Sequence, residues 1–155
     1  MKPQEFLRKT TAMAKQLKDI RRKAVFVGLP SERVGGKVYG DGNSIIQIGA
    51  IHEFGGGNTP RRSFLREPFR IHKGPLNIAI AKEFEAIAEG RDVDVALGRI
   101  GAVATNISKG AFTSLGYGTW DEITIRTMRR KGSSQTLIDT GLLRGSLTWV
   151  IRGTS

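Results

Sequence analysis

Two short stretches hold residue types that hydrolases use. Leu137-Ile138-Asp139-Thr140-Gly141 follows the apolar-apolar-Asp-Thr-Gly pattern of aspartic proteases, in which two aspartates share one proton and activate water. The next residue is Leu142, where that pattern takes Ala or Ser, and 14 residues follow Gly141. Too little chain remains for a flap and most of a sheet, and the chain upstream patterns as helix. The simpler reading is a structural turn, in which Asp139 or Thr140 caps a short turn over residues 141–144 before a last strand. His52-Glu53 suggests a zinc hydrolase, but that motif needs a second histidine four residues on, and position 56 is glycine. His72, the other histidine, lies beyond a glycine-rich loop and a proline. A metal site from His52, Glu53 and His72 stands as an alternative to the preferred reading, in which His52 and Glu53 form hydrogen bonds that fix a helix end. Neither Gly35-Gly36-Lys37 nor Gly55-Gly56-Gly57 has the spacing of a phosphate loop. No sequence cue sets a histidine beside a serine as base. The expectation is a protein that is not an enzyme and needs no cofactor and no metal.

Composition narrows the class. A chain of 155 residues with 39% hydrophobic and 25% charged residues fits one α+β domain spanning 1–155. No apolar run approaches the roughly 18 residues that span a bilayer, so no membrane partner is expected. The basic N-terminus lacks the apolar stretch of a signal peptide, which suggests synthesis in a cytoplasm. There are no cysteines, which excludes disulfides and thiolate chemistry. Formal net charge is +11, a field that favours polyanions or acidic protein surfaces. The basic residues cluster in 1–23, in 61–73 and in 126–131. Arg126, Arg129, Arg130 and Lys131 of the third cluster are candidates for contact with DNA or an acidic partner. No zinc finger, RNA-recognition aromatic pair or helix-turn-helix accompanies them.

The elements that must position these residues follow from periodicity. Phe6, Met13, Leu17, Ile20 and Ala24 recur at helical spacing, predicting a helix over 4–23 with lysines and arginines on its other face. Residues 24–29 read as a buried strand, 30–36 as a loop, and Lys37-Val38-Tyr39 as a second short strand closing a hairpin. Asp41-Gly42-Asn43-Ser44 is a turn that can also cap a helix carrying Ile45, Ile48, Ile51 and Phe54, which ends at Gly55-Gly56-Gly57, with a mobile loop over 55–63. Pro68 and Pro75 break the next region. Leu76, Ile80, Phe84 and Ile87 form another stripe, and a longer helix spans 92–115. Gly98, Gly101 and Gly110 inside it suggest close backbone approach or a bend. Residues 116–136 read as an extended arm anchored by Trp120 and Ile123. Leu147, Trp149 and Ile151 alternate with polar or lesser positions as a half-buried strand. The simplest topology pairs that strand with 24–29 in a small antiparallel sheet packed against several helices, with long extended loops.

Three stretches resemble the bacteriophage virion-morphogenesis and tail-completion family, the Mu-type and related siphophage neck proteins. Ile48-Gly49-Ala50-Ile51-His52-Glu53-Phe54-Gly55 is similar to the family's A-x-I-H-E-F-G. Pro60-Arg61-Arg62-Ser63-Phe64-Leu65-Arg66 is similar to I-P-x-R-P-F-L-R. Leu137 to Leu147 is similar to P-L-I-D-T-G-x-L-x-x-S-I. The order matches, so the resemblance covers most of the chain. Departures are Ser63 and Thr136, where the family has prolines.

The resemblance implies a structural virion protein at the head–tail junction, assembled in the host cytoplasm. It implies a homo-oligomeric ring around the DNA channel that lets filled heads join finished tails. Its partners would be other neck and tail proteins (adaptor, terminator, tail tube), with DNA passing through the channel. His52, Glu53, Phe54, Arg61, Arg62, Phe64, Arg66 and Trp120 are then candidates for inter-subunit or partner contact. The alternative is a basic DNA-binding protein without enzymatic activity.

Overall fold

The computed structural model describes residues 2–120 and 135–154, with the backbone alone for 135–140. The described elements run α1 (Pro3–Arg21), β1 (Lys23–Gly28), α2 (Ser31–Val34), α3 (Ile45–Phe54), α4 (Arg66–Ile71), α5 (Lys73–Ala88), α6 (Val93–Thr113), α7 (Gln135–Ser146) and β2 (Thr148–Gly153). The fold is α+β, as the sequence predicts. β1 and β2 pair antiparallel from Lys23 opposite Gly153 to Gly28 opposite Thr148. The last strand therefore closes on the first, the pairing the β-forming runs imply. No helix among the described residues is long and apolar enough to cross a membrane.

Local signals set the helix ends. Ser44 starts α3 through a capping box: its hydroxyl accepts from the Ile46 N–H at 3.3 Å, while its own N–H donates to Gln47 Oε1. Asp92 starts α6 by accepting from the Asp94 and Val95 amides at 2.9 and 3.1 Å. Pro68 and Pro75 do not interrupt helices. Each falls in the first turn of its helix, α4 or α5, where a missing amide leaves no bond unmade. Lys37-Val38-Tyr39 does not form a hairpin with β1. Val38 makes a single bridge to Ser44 within the turn that leads to α3, and β1 pairs with β2 instead. Residues 141–144, expected as a short turn capped by Asp139 or Thr140, lie within α7, so Asp139, Thr140 and Gly141 belong to helical backbone. Of the arm expected over 116–136, residues 116–120 form turns and 135–136 belong to α7, while 121–134, with Ile123, lie outside the described residues.

α6 is the axis of the molecule. One core gathers Ile87, Val93, Ala96, Leu97 and Ile100 with Val25 and Ile151 of the sheet. The other gathers Val34, Tyr39, Ile45, Phe64, Ala111, Leu143 and Leu147 from six parts of the chain. The glycines inside α6 admit aromatic rings. A Cβ at Gly101 would stand 2.6 Å from Trp149 Cγ, and one at Gly110 would stand within bonding range of the Tyr117 hydroxyl, which donates to the Ile107 carbonyl at 2.8 Å. Trp149 of β2 thus lies flat on the α6 backbone. On α5 the expected stripe is shifted: Phe84 is exposed, and Glu83 takes a core-facing position with Arg91 and Arg99 beside it.

Candidate functional site

Glu53 occupies the next-to-last position of α3 and turns its carboxylate into the body, where it is 4% exposed. Its Oε1 accepts from Ser63 Oγ at 2.8 Å, from the Arg66 amide at 3.2 Å and from Arg66 Nε at 3.0 Å. Its Oε2 accepts from the Phe64 and Leu65 amides at 2.8 and 3.0 Å. These amides lie at the start of α4, whose first N–H groups have no partner within the helix. Ser63 Oγ serves the next one, accepting from the Glu67 amide at 3.1 Å. A second Arg66 nitrogen donates to the Glu53 carbonyl, and the Arg62 amide donates to the His52 carbonyl at 2.7 Å. The carboxylate therefore ties the end of one helix to the start of another.

Two opposing effects act on its charge. Burial raises the Glu53 pKa. The hydrogen bonds from Arg66, the Leu65 amide, Ser63 and the Arg66 amide lower it, and together they prevail. Glu53 is held ionised below the ordinary glutamate range. A group so fully occupied by donors has no lone pair directed at substrate or solvent water, which fits a positioning role better than that of a general base.

Around this latch the three motif segments converge. A Cβ built on Gly49 would lie 2.5 Å from Leu29 Cδ1, 3.4 Å from Leu143 Cδ1 and 3.7 Å from Phe64 Cζ. Gly49, Phe64 and Leu143 belong to three stretches far apart in the chain. Phe64 is 1% exposed, its ring centroid is 5.4 Å from that of Phe112, and its carbonyl accepts from Ser108 Oγ. Trp120 stacks edge-on against Phe112, and its Nε1 donates to the Ser63 carbonyl at 3.2 Å.

These positions sort the candidate contact residues. Glu53 and Phe64 are internal, so neither is free to meet a partner: apolar burial holds Phe64, and a complete set of donors holds Glu53. Trp120 is half-buried and engaged within the chain. Phe54 is 64% exposed, with the Arg66 guanidinium 4.4 Å above its ring. Ile51, Arg61 and Arg70 are exposed beside it, Arg62 and His52 partly so, and Glu67 is the acid between Arg61 and Arg70. The segment 55–63, expected as a mobile loop, is held by a Gly56–Thr59 bridge, by the Arg62 amide and by buried Ser63. Sequence reasoning missed Ser63 and Ser108, whose roles depend on contacts that close only in the folded chain. Ile51 and Arg70 were also missed; their spacing from Phe54 and Arg66, one helical turn each, was the available signal.

Arg126, Arg129, Arg130 and Lys131 lie outside the described residues. Among the described residues no group of three or more His, Asp or Glu side chains is placed to hold a metal ion. His52 and His72 are not brought together with Glu53: His72 packs its ring on Tyr117, with centroids 4.2 Å apart. In comparisons with protein-family models, curated proteins and solved structures, the chain matches none.

Proposed function

We propose that this chain is a structural virion protein of the phage neck or tail-completion kind, which self-assembles into a ring at the head–tail junction and enables head–tail joining. The observation that carries this reading is the convergence at Gly49. Gly49, Phe64 and Leu143, one from each of the three sequence stretches that resemble the neck family, lie together there, and the Glu53 carboxylate ties the first two stretches to each other. The same latch presents Phe54, Ile51, Arg61, Arg66 and Arg70 on one outer face, an aromatic–arginine surface of the composition that protein interfaces favour.

Deletion of the gene from the phage that carries it tests the proposal. Filled heads and finished tails should accumulate unjoined, and adding back the purified protein should restore joining. Normal virions from the deletion would refute it. A second reading, free DNA binding, is favoured by the net charge of +11.

A further inference from the structure

The most unusual surface of the molecule is α1. Its last turn is tied to the body: Ile20 packs with the Ile87 core, and Gln16 Nε2 donates to the Arg91 carbonyl. Residues 3–15 touch no core and are all exposed. That free part is about 20 Å long at 1.5 Å per residue. A lone helix of this length is marginal in water, because helices in proteins draw most of their stability from packing an amphipathic face. Phe6, Met13 and Leu17 form such a face, and Leu17 is 53% exposed.

α5 presents a complementary surface. Its outer side carries Gly74, Ala81 and Ala88 at seven-residue intervals, flanked by Ile78, which is 71% exposed, and by exposed Phe84. The seven-residue step from Phe6 to Met13 equals the step between those small residues, so large side chains of one helix can seat over small ones of the other. At about 24 Å, α5 is long enough to receive the free part of α1.

Charge selects the occupant. Residues 1–23 hold eight basic and two acidic residues, so two copies of α1 laid together would repel. The stretch 83–94 holds five of the chain's 14 acidic residues and one basic residue; Glu83, Asp92 and Asp94 are engaged within the chain, which leaves Glu85 and Glu89 to meet a partner. Glu85 and Glu89 on the outer side of α5 make no ion pair among the described residues, nor do Arg8, Lys15 and Lys18 on α1. We infer that α1 of one copy docks on the outer face of α5 of the next copy, in a head-to-tail contact. Such a contact joins different patches on the two subunits, the geometry that generates a ring where the rotation between copies closes and an open filament where it does not. It deepens the self-assembly in the proposed function and rests on that reading.

The chain has no cysteines, so introduced ones report the contact cleanly. Full-length Met13→Cys and Ala81→Cys proteins are mixed and oxidised at low salt. The expected product is the mixed disulfide dimer, in excess over Met13→Cys homodimer. In sedimentation, Glu85→Lys/Glu89→Lys should weaken self-association by about tenfold or more, and Lys15→Glu/Lys18→Glu combined with it should restore association. A separate Phe6→Ser/Met13→Ser protein should lose association while keeping the parent's thermal unfolding. A protein that stays monomeric at every concentration overturns the inference. So does a dominant Met13→Cys homodimer, or an α1 that binds vesicles of phosphatidylglycerol and phosphatidylcholine but not a second copy. The deletion phenotype tests the neck role and the disulfide tests the contact, so the two can fail separately.

Discussion

Glu53 brings a negative charge into a place where three amides, a hydroxyl and a guanidinium point inward. Replacing it with Gln keeps the shape but turns one acceptor into a donor that faces other donors. Hydrogen bonds to charged groups contribute about 1.5–3 kcal/mol each, while the ion pair adds less because the Arg66 side chain is 55% exposed and screened by solvent. Glu53→Gln should therefore lower unfolding stability by about 3 kcal/mol in urea titrations at neutral pH. Because its folded pKa lies below the ordinary glutamate value of 4.5, the native state binds fewer protons than the unfolded state in that region. Its contribution is complete above that value and is lost as pH falls through the depressed folded pKa. The parent should destabilise steeply in that acid window, and Glu53→Gln should show a flatter acid limb. An acid limb of equal slope in both proteins would remove the latch from the account. Phe54→Ala, at an exposed ring, should change stability by no more than about 0.5 kcal/mol. The sequence points to Glu53 as the residue that fixes the end of α3, because a polar pair precedes three glycines. It does not reveal that the donors would come from residues 63–66. Nor does it reveal that Phe64, set among arginines, would face inward, because both facts depend on how α3 and α4 meet.

At the scale of elements, glycine has two opposite uses here. Gly101 in α6 lies under Trp149, so Gly101→Ala forces a 2.6 Å contact with a ring that β2 holds in place. The overpacking costs about 1–3 kcal/mol, against about 1 kcal/mol gained in helix propensity. Net destabilisation is expected, with a lower thermal midpoint. Among the described residues, Gly141 and Gly145 in α7 have nothing within 4 Å of an added Cβ. Gly141→Ala and Gly145→Ala should each stabilise by about 0.4–1 kcal/mol. If all three changes moved the midpoint the same way, the aromatic seat on α6 would be refuted. α3 and α6 were legible because their apolar residues recur at helical spacing, Ile45, Ile48 and Ile51 in one and Val93, Leu97 and Ile100 in the other, a signal local to the chain. The β1–β2 pairing was legible because β-formers cluster at two places and little else could pair. α7 was not: Asp-Thr-Gly has turn chemistry by composition, and Leu143 and Leu147 packing into the Phe64 core outweighs the helix cost of its glycines. The Lys37–Tyr39 hairpin failed for a different reason: those residues pair with 43–45, in the turn that leads into α3, and not with β1.

Over the whole molecule, charge is unevenly spread, and this separates the two functional readings. A net charge of +11 gives any protein some affinity for duplex DNA through release of counterions. Non-specific binding of that origin lies around 10⁻⁴–10⁻⁶ M at physiological salt. A neck protein that only surrounds DNA needs no more than this. A protein whose task is DNA binding needs contacts that outlast screening, from base edges or stacked aromatics. On α1, arginines and lysines share the helix with Phe6, Met13 and Leu17 rather than with a stacking platform. Phe54, the exposed ring of the latch, already carries the Arg66 guanidinium. The expectation is duplex binding that is measurable at low salt and falls into the non-specific range at about 0.15 M. Fluorescence anisotropy with a labelled duplex, titrated across salt concentrations, measures this directly. Submicromolar binding that persists at 0.15 M would favour the DNA-binding reading over the neck reading. Weak binding with a steep salt slope leaves the basic surface to steer assembly, by bringing the positive α1 arm towards the acidic stretch over 83–94.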